Sequence, residues 1–122
     1  MKKLIILTMA FLLIDSVSQA KYPVGISLSI LKTPSAEGLA QIKASGVDHV
    51  EVVFNYFWRN VPENECYTRA YRVKALLEEA GLKVWSCHLP FSRQLDISVP
   101  DPALREQNVA LMERMIRLAS IF

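Results

Sequence analysis

A chain of 122 residues with 52% hydrophobic content and a formal net charge of +2 is apolar for a small soluble domain, with a mean hydropathy of +0.22. The charge is small and no run of basic residues interleaves with aromatics, which argues against nucleic acid or an anionic membrane as partner. Two cysteines without C-x-x-C spacing exclude a zinc knuckle and a thioredoxin-like motif.

Part of the apolar excess is local to the N-terminus. Lys2 and Lys3 precede an apolar run from Leu4 to Ile14, and Ser18-Gln19-Ala20 places small residues where a signal peptidase accepts them. The run is too short to span a bilayer, which takes about 20 residues. Residues 1–20 are therefore expected to be an export signal, cut after Ala20, and the protein to be periplasmic or secreted with no membrane attachment after cleavage. Losing Lys2, Lys3 and Asp15 takes the formal charge from +2 to +1.

The mature chain, residues 21–122, opens on Val24 to Ile30, where apolar residues alternate with Gly25, Ser27 and Ser29. That is strand period, and the small residues predict a face that meets something closely. Ser35 caps a helix over Ala36 to Ser45, with Leu39 and Ile42 as its stripe and Gly46 as its stop. A second strand runs from Val47 to Phe54. Val50, Val52 and Phe54 share one face; His49, Glu51 and Val53 share the other. A carboxylate inside a β-branched run is costly unless paired or wetted, so Glu51 is expected in a polar interior or a site.

Asn55 to Asn60 reads as an aromatic loop. The second helix follows from Pro62, with Cys66, Ala70, Val73, Leu77 and Ala80 on its apolar stripe. Gly81 ends it, and Leu82 to His88 forms a third strand. If His88 faces inward, period two places Val84 and Ser86 inside and Trp85, Cys87 and Leu89 toward the helices. Asp101-Pro102 starts a last helix with a wide stripe of Val109, Leu111, Met112, Met115, Ile116, Leu118, Ala119 and Phe122. Strands alternating with helices argue for right-handed βαβ units and a parallel sheet.

The ordered set of a helix followed by Gly46-Val47-Asp48-His49-Val50-Glu51, then Gly81 through Phe91, then Asp96-Ile97-Ser98 and a helix, resembles the sugar phosphate isomerase/epimerase family. These are xylose-isomerase-like barrels, a group with a DNA-repair branch of abasic-site endonucleases. The resemblance covers residues 21–122 and implies an α/β fold, the first three βα units of a (β/α)8 TIM barrel, with the site at the C-terminal ends of the strands. It implies a divalent metal (Mn, Mg, Co or Zn) and a small sugar or sugar derivative as partner. In the family the metal takes two glutamates, an aspartate and a histidine from later strands, and a glutamate moves a proton beside the sugar carbonyl. With three units the chain is expected to be an inactive fragment of such a barrel, with open sheet edges that favour self-association.

The resemblance places His88 in the site, touching substrate in some family members and metal in the repair branch. A histidine hydrogen-bonded into the barrel rim is the competing reading. Glu51 is the second candidate, against a role neutralising a buried base. Tyr56, Phe57 and Trp58 could overhang a sugar pocket, Trp58 foremost, or pack the loop onto the barrel; packing is favoured. His49, near the strand start, reads as structural. For Cys66 and Cys87, a bridge worth roughly 3 kcal/mol competes with two separate buried thiols, favoured because disulfide geometry is narrow. Two other functions stay open: a metal-dependent hydrolase or lyase acting on sugars or abasic sites in the same barrel, and a non-catalytic carbohydrate-binding or interaction module.

Overall fold

Three parallel strands, β1 (Gly25–Ser27), β2 (His49–Val53) and β3 (Lys83–His88), form one sheet in that order. Among the described residues, four α-helices accompany them: α1 (Ala36–Ala44), the single turn α2 (Asn55–Trp58), α3 (Glu63–Glu79) and α4 (Pro102–Ala119). This computed structural model describes residues 22–122, so the expected export signal lies outside the described residues. The fold is mixed α/β with each strand followed by helix. No helix among the described residues is long and apolar enough to cross a membrane.

Both helix-to-strand junctions rest on glycine. Gly46 and Gly81 have φ of +88° and +67°, the left-handed region that residues with a Cβ avoid. At Gly81 the closure is complete: its N–H donates to Glu78 O and the Leu82 N–H to Leu77 O, each at 3.0 Å. These two bonds satisfy carbonyls that the end of α3 would leave unpaired and aim the chain straight into β3. Beside the first junction, Lys43 Nζ lies 2.7 Å from Asp48 Oδ1. That hydrogen bond and its charge hold the Asp48 carboxyl below the usual carboxylate range.

At its other end, α4 starts on a strong cap. Asp101 Oδ1 accepts from the N–H groups of Ala103 (2.9 Å) and Leu104 (3.0 Å), with Pro102 at the first helical position. Asp101→Ala is expected to lower stability by about 1 kcal/mol, read as a fall in the urea midpoint. Asp101→Asn, which keeps the acceptor, should retain most of it; equal losses would assign the effect to charge instead.

The core lies on one side of the sheet. Val50, Val52 and Phe54 from the β2 segment meet Leu39 and Ile42 of α1, Cys66, Ala70, Val73 and Leu77 of α3, and Met115 and Leu118 of α4. At the end of β2 the chain turns into α2, where Phe57 is buried. Phe54, Phe57 and Phe122 form an aromatic cluster, with Phe54 edge-on to Phe57 at 5.3 Å and to Phe122 at 6.1 Å.

Three sequence expectations are corrected. The first strand ends at Ser27 rather than Ile30, because Ser27 Oγ accepts from Ser29 N (3.4 Å) and the chain coils into a 3-10 turn, Leu28–Ile30. A serine side chain that captures a nearby backbone N–H draws it away from the ladder. The stripe of α4 is narrower than its pattern: Met115 and Leu118 are buried, while Ile116 is 58% exposed and Val109 39%. Among the described residues α4 meets α3, tied by Arg114 Nη1 to Glu63 Oε2 at 3.4 Å.

The third correction is in β3. Val50 pairs with Val84, but the next residue of β2, Glu51, pairs with Ser86. Trp85 is an extra residue, a bulge. Val84 therefore packs toward the core with Cys87 and Leu89, and Trp85 joins the opposite face, 69% exposed, its ring 6.0 Å from that of His49. Strict alternation predicts Val84 and Trp85 the other way round.

Candidate functional site

The face of the sheet away from the helices carries the polar residues. Parallel register sets Ser27 beside Glu51 and Glu51 beside Ser86, while Val53 pairs with His88. Three strands thus bring a hydroxyl, a carboxylate, a second hydroxyl and an imidazole to neighbouring positions near their C-terminal ends. The tip of β3 is fixed by its backbone, since Phe54 N donates to His88 O at 3.0 Å. That bond places the His88 side chain next to the end of β2.

Glu51 is the centre of the group. Ser86 Oγ donates to Glu51 Oε2 at 3.4 Å, and His88 Nδ1 lies 3.5 Å from Glu51 Oε1. The side chains of Glu51 and His88 are 31% and 43% exposed, so the carboxylate is partly wetted, which lowers the cost of keeping its charge in a β-branched strand. Glu51 and His88 front an open cleft of about 340 Å³ that Ser27, Ser29, Asn55 and Phe91 also line, with Ser86 bonded to Glu51 behind it. Phe91 leans on the imidazole, with ring centroids 5.3 Å apart.

An arrangement of this kind can accept hydrogen bonds from hydroxyls at the carboxylate, donate from the Ser27 and Ser29 hydroxyls that line the cleft, and exchange a proton at the imidazole. The Phe91 ring adds an apolar wall. Glu51 and His88 together present one oxygen and one nitrogen donor. No group of three His, Cys, Asp or Glu side chains converges among the described residues.

Of the residues singled out in the sequence, the fold brings Glu51 and His88 together and sets Trp58 apart. Trp58 packs against the edge of the core, its Nε1 donating to Asn55 Oδ1 at 3.2 Å, and it does not line the Glu51–His88 cleft. His49 shares the polar face, and its Nδ1 is buried without a partner among the described residues. Cys66 and Cys87 are both free thiols. Burial, and secondarily the nearby Glu51 charge, pushes the Cys87 thiol up, so it stays protonated at neutral pH and is a poor nucleophile.

Ser27, Asn55 and Phe91 were not candidates in the sequence. The small-residue face of the first strand was the signal for Ser27. Asn55 had none, because its position depends on the chain closing into α2 directly after β2. No protein-family model matches the chain, and a search of curated proteins finds no match.

Proposed function

We propose that the three strand-helix units are the first three of a (β/α)8 barrel, and that Glu51, Ser86 and His88 form one wall of a site for a sugar or sugar derivative, as in the sugar isomerases and epimerases. The observation that carries this reading is the Glu51–Ser86–His88 group, on one face at the C-terminal end of a parallel sheet, where such barrels place their chemistry. A second feature supports it. Parallel sheets are usually covered on both faces, and here the polar face has no covering layer among the described residues.

On this reading Glu51 and His88 bind and orient sugar hydroxyls, and Ser86 holds the Glu51 carboxylate toward the cleft. Proton transfer beside the carbonyl falls to groups on further strands of the barrel. A divalent metal ion, when bound, would polarise the sugar carbonyl, and Glu51 and His88 are the donors this wall offers to it. Residues 1–20, by their sequence, support export.

The test is calorimetric titration of the chain with neutral ketoses and aldoses, with and without Mn²⁺. Saturable binding is expected, weakened about tenfold or more by Glu51→Gln and by His88→Ala, as for loss of hydrogen bonds to charged groups. No saturable binding by the unaltered chain, or equal affinity in both variants, would sink the assignment.

A further inference from the structure

A second pocket, of about 420 Å³, opens beside the first at the same end of the sheet. Lys32 from the segment after β1, Arg59 from the segment after β2, and Arg69 from α3 all line it, and no aspartate or glutamate does. In a chain whose residues 21–122 sum to a formal +1, that is a local concentration of positive charge.

The three cations are held differently. Arg69 is fixed in place: Nη1 donates to Tyr56 O at 3.4 Å, Nη2 meets Glu65 Oε2 at 3.0 Å, and its guanidinium sits 5.5 Å from the centre of the Tyr56 ring. Arg59 lies over Trp58, 5.8 Å from the ring centre. Glu65 answers part of the Arg69 charge. Among the described residues, no carboxylate pairs with Lys32 or Arg59. Amide and hydroxyl groups complete the wall through Ser29, Asn55 and Asn60. The backbone at Asn60 holds φ of 55°, the one positive φ at a non-glycine residue among the described residues.

We propose that this pocket binds an oxyanion, the phosphate or carboxylate of a small molecule, with Arg59 and Lys32 supplying the charge and Arg69 a pre-positioned guanidinium. Guanidinium groups fit such oxyanions by paired N–H donors, and a lysine adds a mobile point charge. Sequence inspection misses the site because the three cations stand far apart along the chain and converge only when the sheet and α3 assemble. Ser29, Val53 and Asn55 line both this pocket and the Glu51–His88 cleft, so the two are contiguous. The oxyanion site nonetheless stands without the sugar reading, because none of its charge comes from the cleft.

Equilibrium dialysis of the whole chain against radiolabelled inorganic phosphate, at neutral pH and constant ionic strength in sodium chloride, tests the proposal. Saturable binding with Kd on the order of 1 mM is expected. The exposed double variant Lys32→Ala/Arg59→Ala should weaken it about tenfold or more. Lys74→Ala, on α3 and paired with Glu78, should leave it unchanged. Uptake that does not saturate, or equal affinity in the double variant, overturns the site. Methyl phosphate and acetate then serve as competitors. Stronger displacement by methyl phosphate identifies a phosphomonoester ligand, and stronger displacement by acetate a carboxylate. Displacement by neither overturns a small-molecule oxyanion as the occupant.

Discussion

Phe54→Ala should lower the unfolding free energy by about 3–5 kcal/mol. Phe54 is fully buried and contacts the aromatic rings of both α2 and the C-terminal segment through Phe57 and Phe122. Truncation removes the ring's burial and opens a cavity that two other large, stiff rings cannot fill by relaxing. It also removes two aromatic contacts, each worth about 0.5–1.5 kcal/mol beyond burial. Small domains have about 5–15 kcal/mol in all, so the variant would sit near the threshold of folding. Urea unfolding followed by circular dichroism is the measurement. Phe54→Leu, which keeps most of the volume, should cost much less. A loss below about 1 kcal/mol for Phe54→Ala would mean that the cluster does not tie these elements together.

Asn108→Asp is expected to cost about 3 kcal/mol at neutral pH. Asn108 is the one buried polar side chain among the described residues, 5% exposed, and its Nδ2 donates to Asp96 O at 2.9 Å. That bond ties the segment between β3 and α4 onto the helix. The segment has its own local lock, since Asp96 Oδ1 accepts from Ser98 N at 2.8 Å and Ser98 Oγ at 2.7 Å, which holds the Asp96 carboxyl below its usual range. Replacing the amide with a carboxylate deletes the donor, buries a charge and sets it against a carbonyl oxygen. The introduced carboxyl therefore has a folded pKa raised above its unfolded value. Its penalty is present above the folded pKa and shrinks as pH falls toward the unfolded one, because the protonated form can donate to Asp96 O again. Stability measured from pH 7 down to about pH 4 should show the gap to the unaltered chain narrowing. A gap that stays constant over that range would show that the residue meets water rather than the Asp96 carbonyl.

Asn108 also marks a limit of apolar periodicity as a guide to burial. It stands in phase with Leu111, Met115 and Leu118 on the buried side of α4, but an apolar stripe is traced by its apolar members, and a polar residue in register with them went unmarked. Strand and helix identities were legible because period two and the helical period are strong in these segments, and because Gly46 and Gly81 mark both junctions. Glu51 and His88 were each legible as site candidates for a related reason. A carboxylate inside a β-branched strand, and a histidine at the end of the next strand, share a face once the sheet is parallel. What stayed hidden depends on assembly. The early end of β1 turns on one serine bonding Ser29 N, and the basic pocket turns on three cations that no local pattern connects. The aromatic segment was legible as packing for Phe57, while Asn55 gained its place only from α2.

The bulge at Trp85 has a meaning for how β3 can change. Val84 has to face the helices and His88 has to face the cleft, yet they lie four positions apart, an even number that an unbroken strand would give the same side. The extra residue reconciles the two demands. It splits the strand into a base that answers to the core and a tip that answers to the cleft, each with its own parity. Side chains on the tip can then be exchanged without moving the base, and the core can be repacked without turning His88 away. Trp85 belongs to neither half: it stands 69% exposed, its ring beside that of His49.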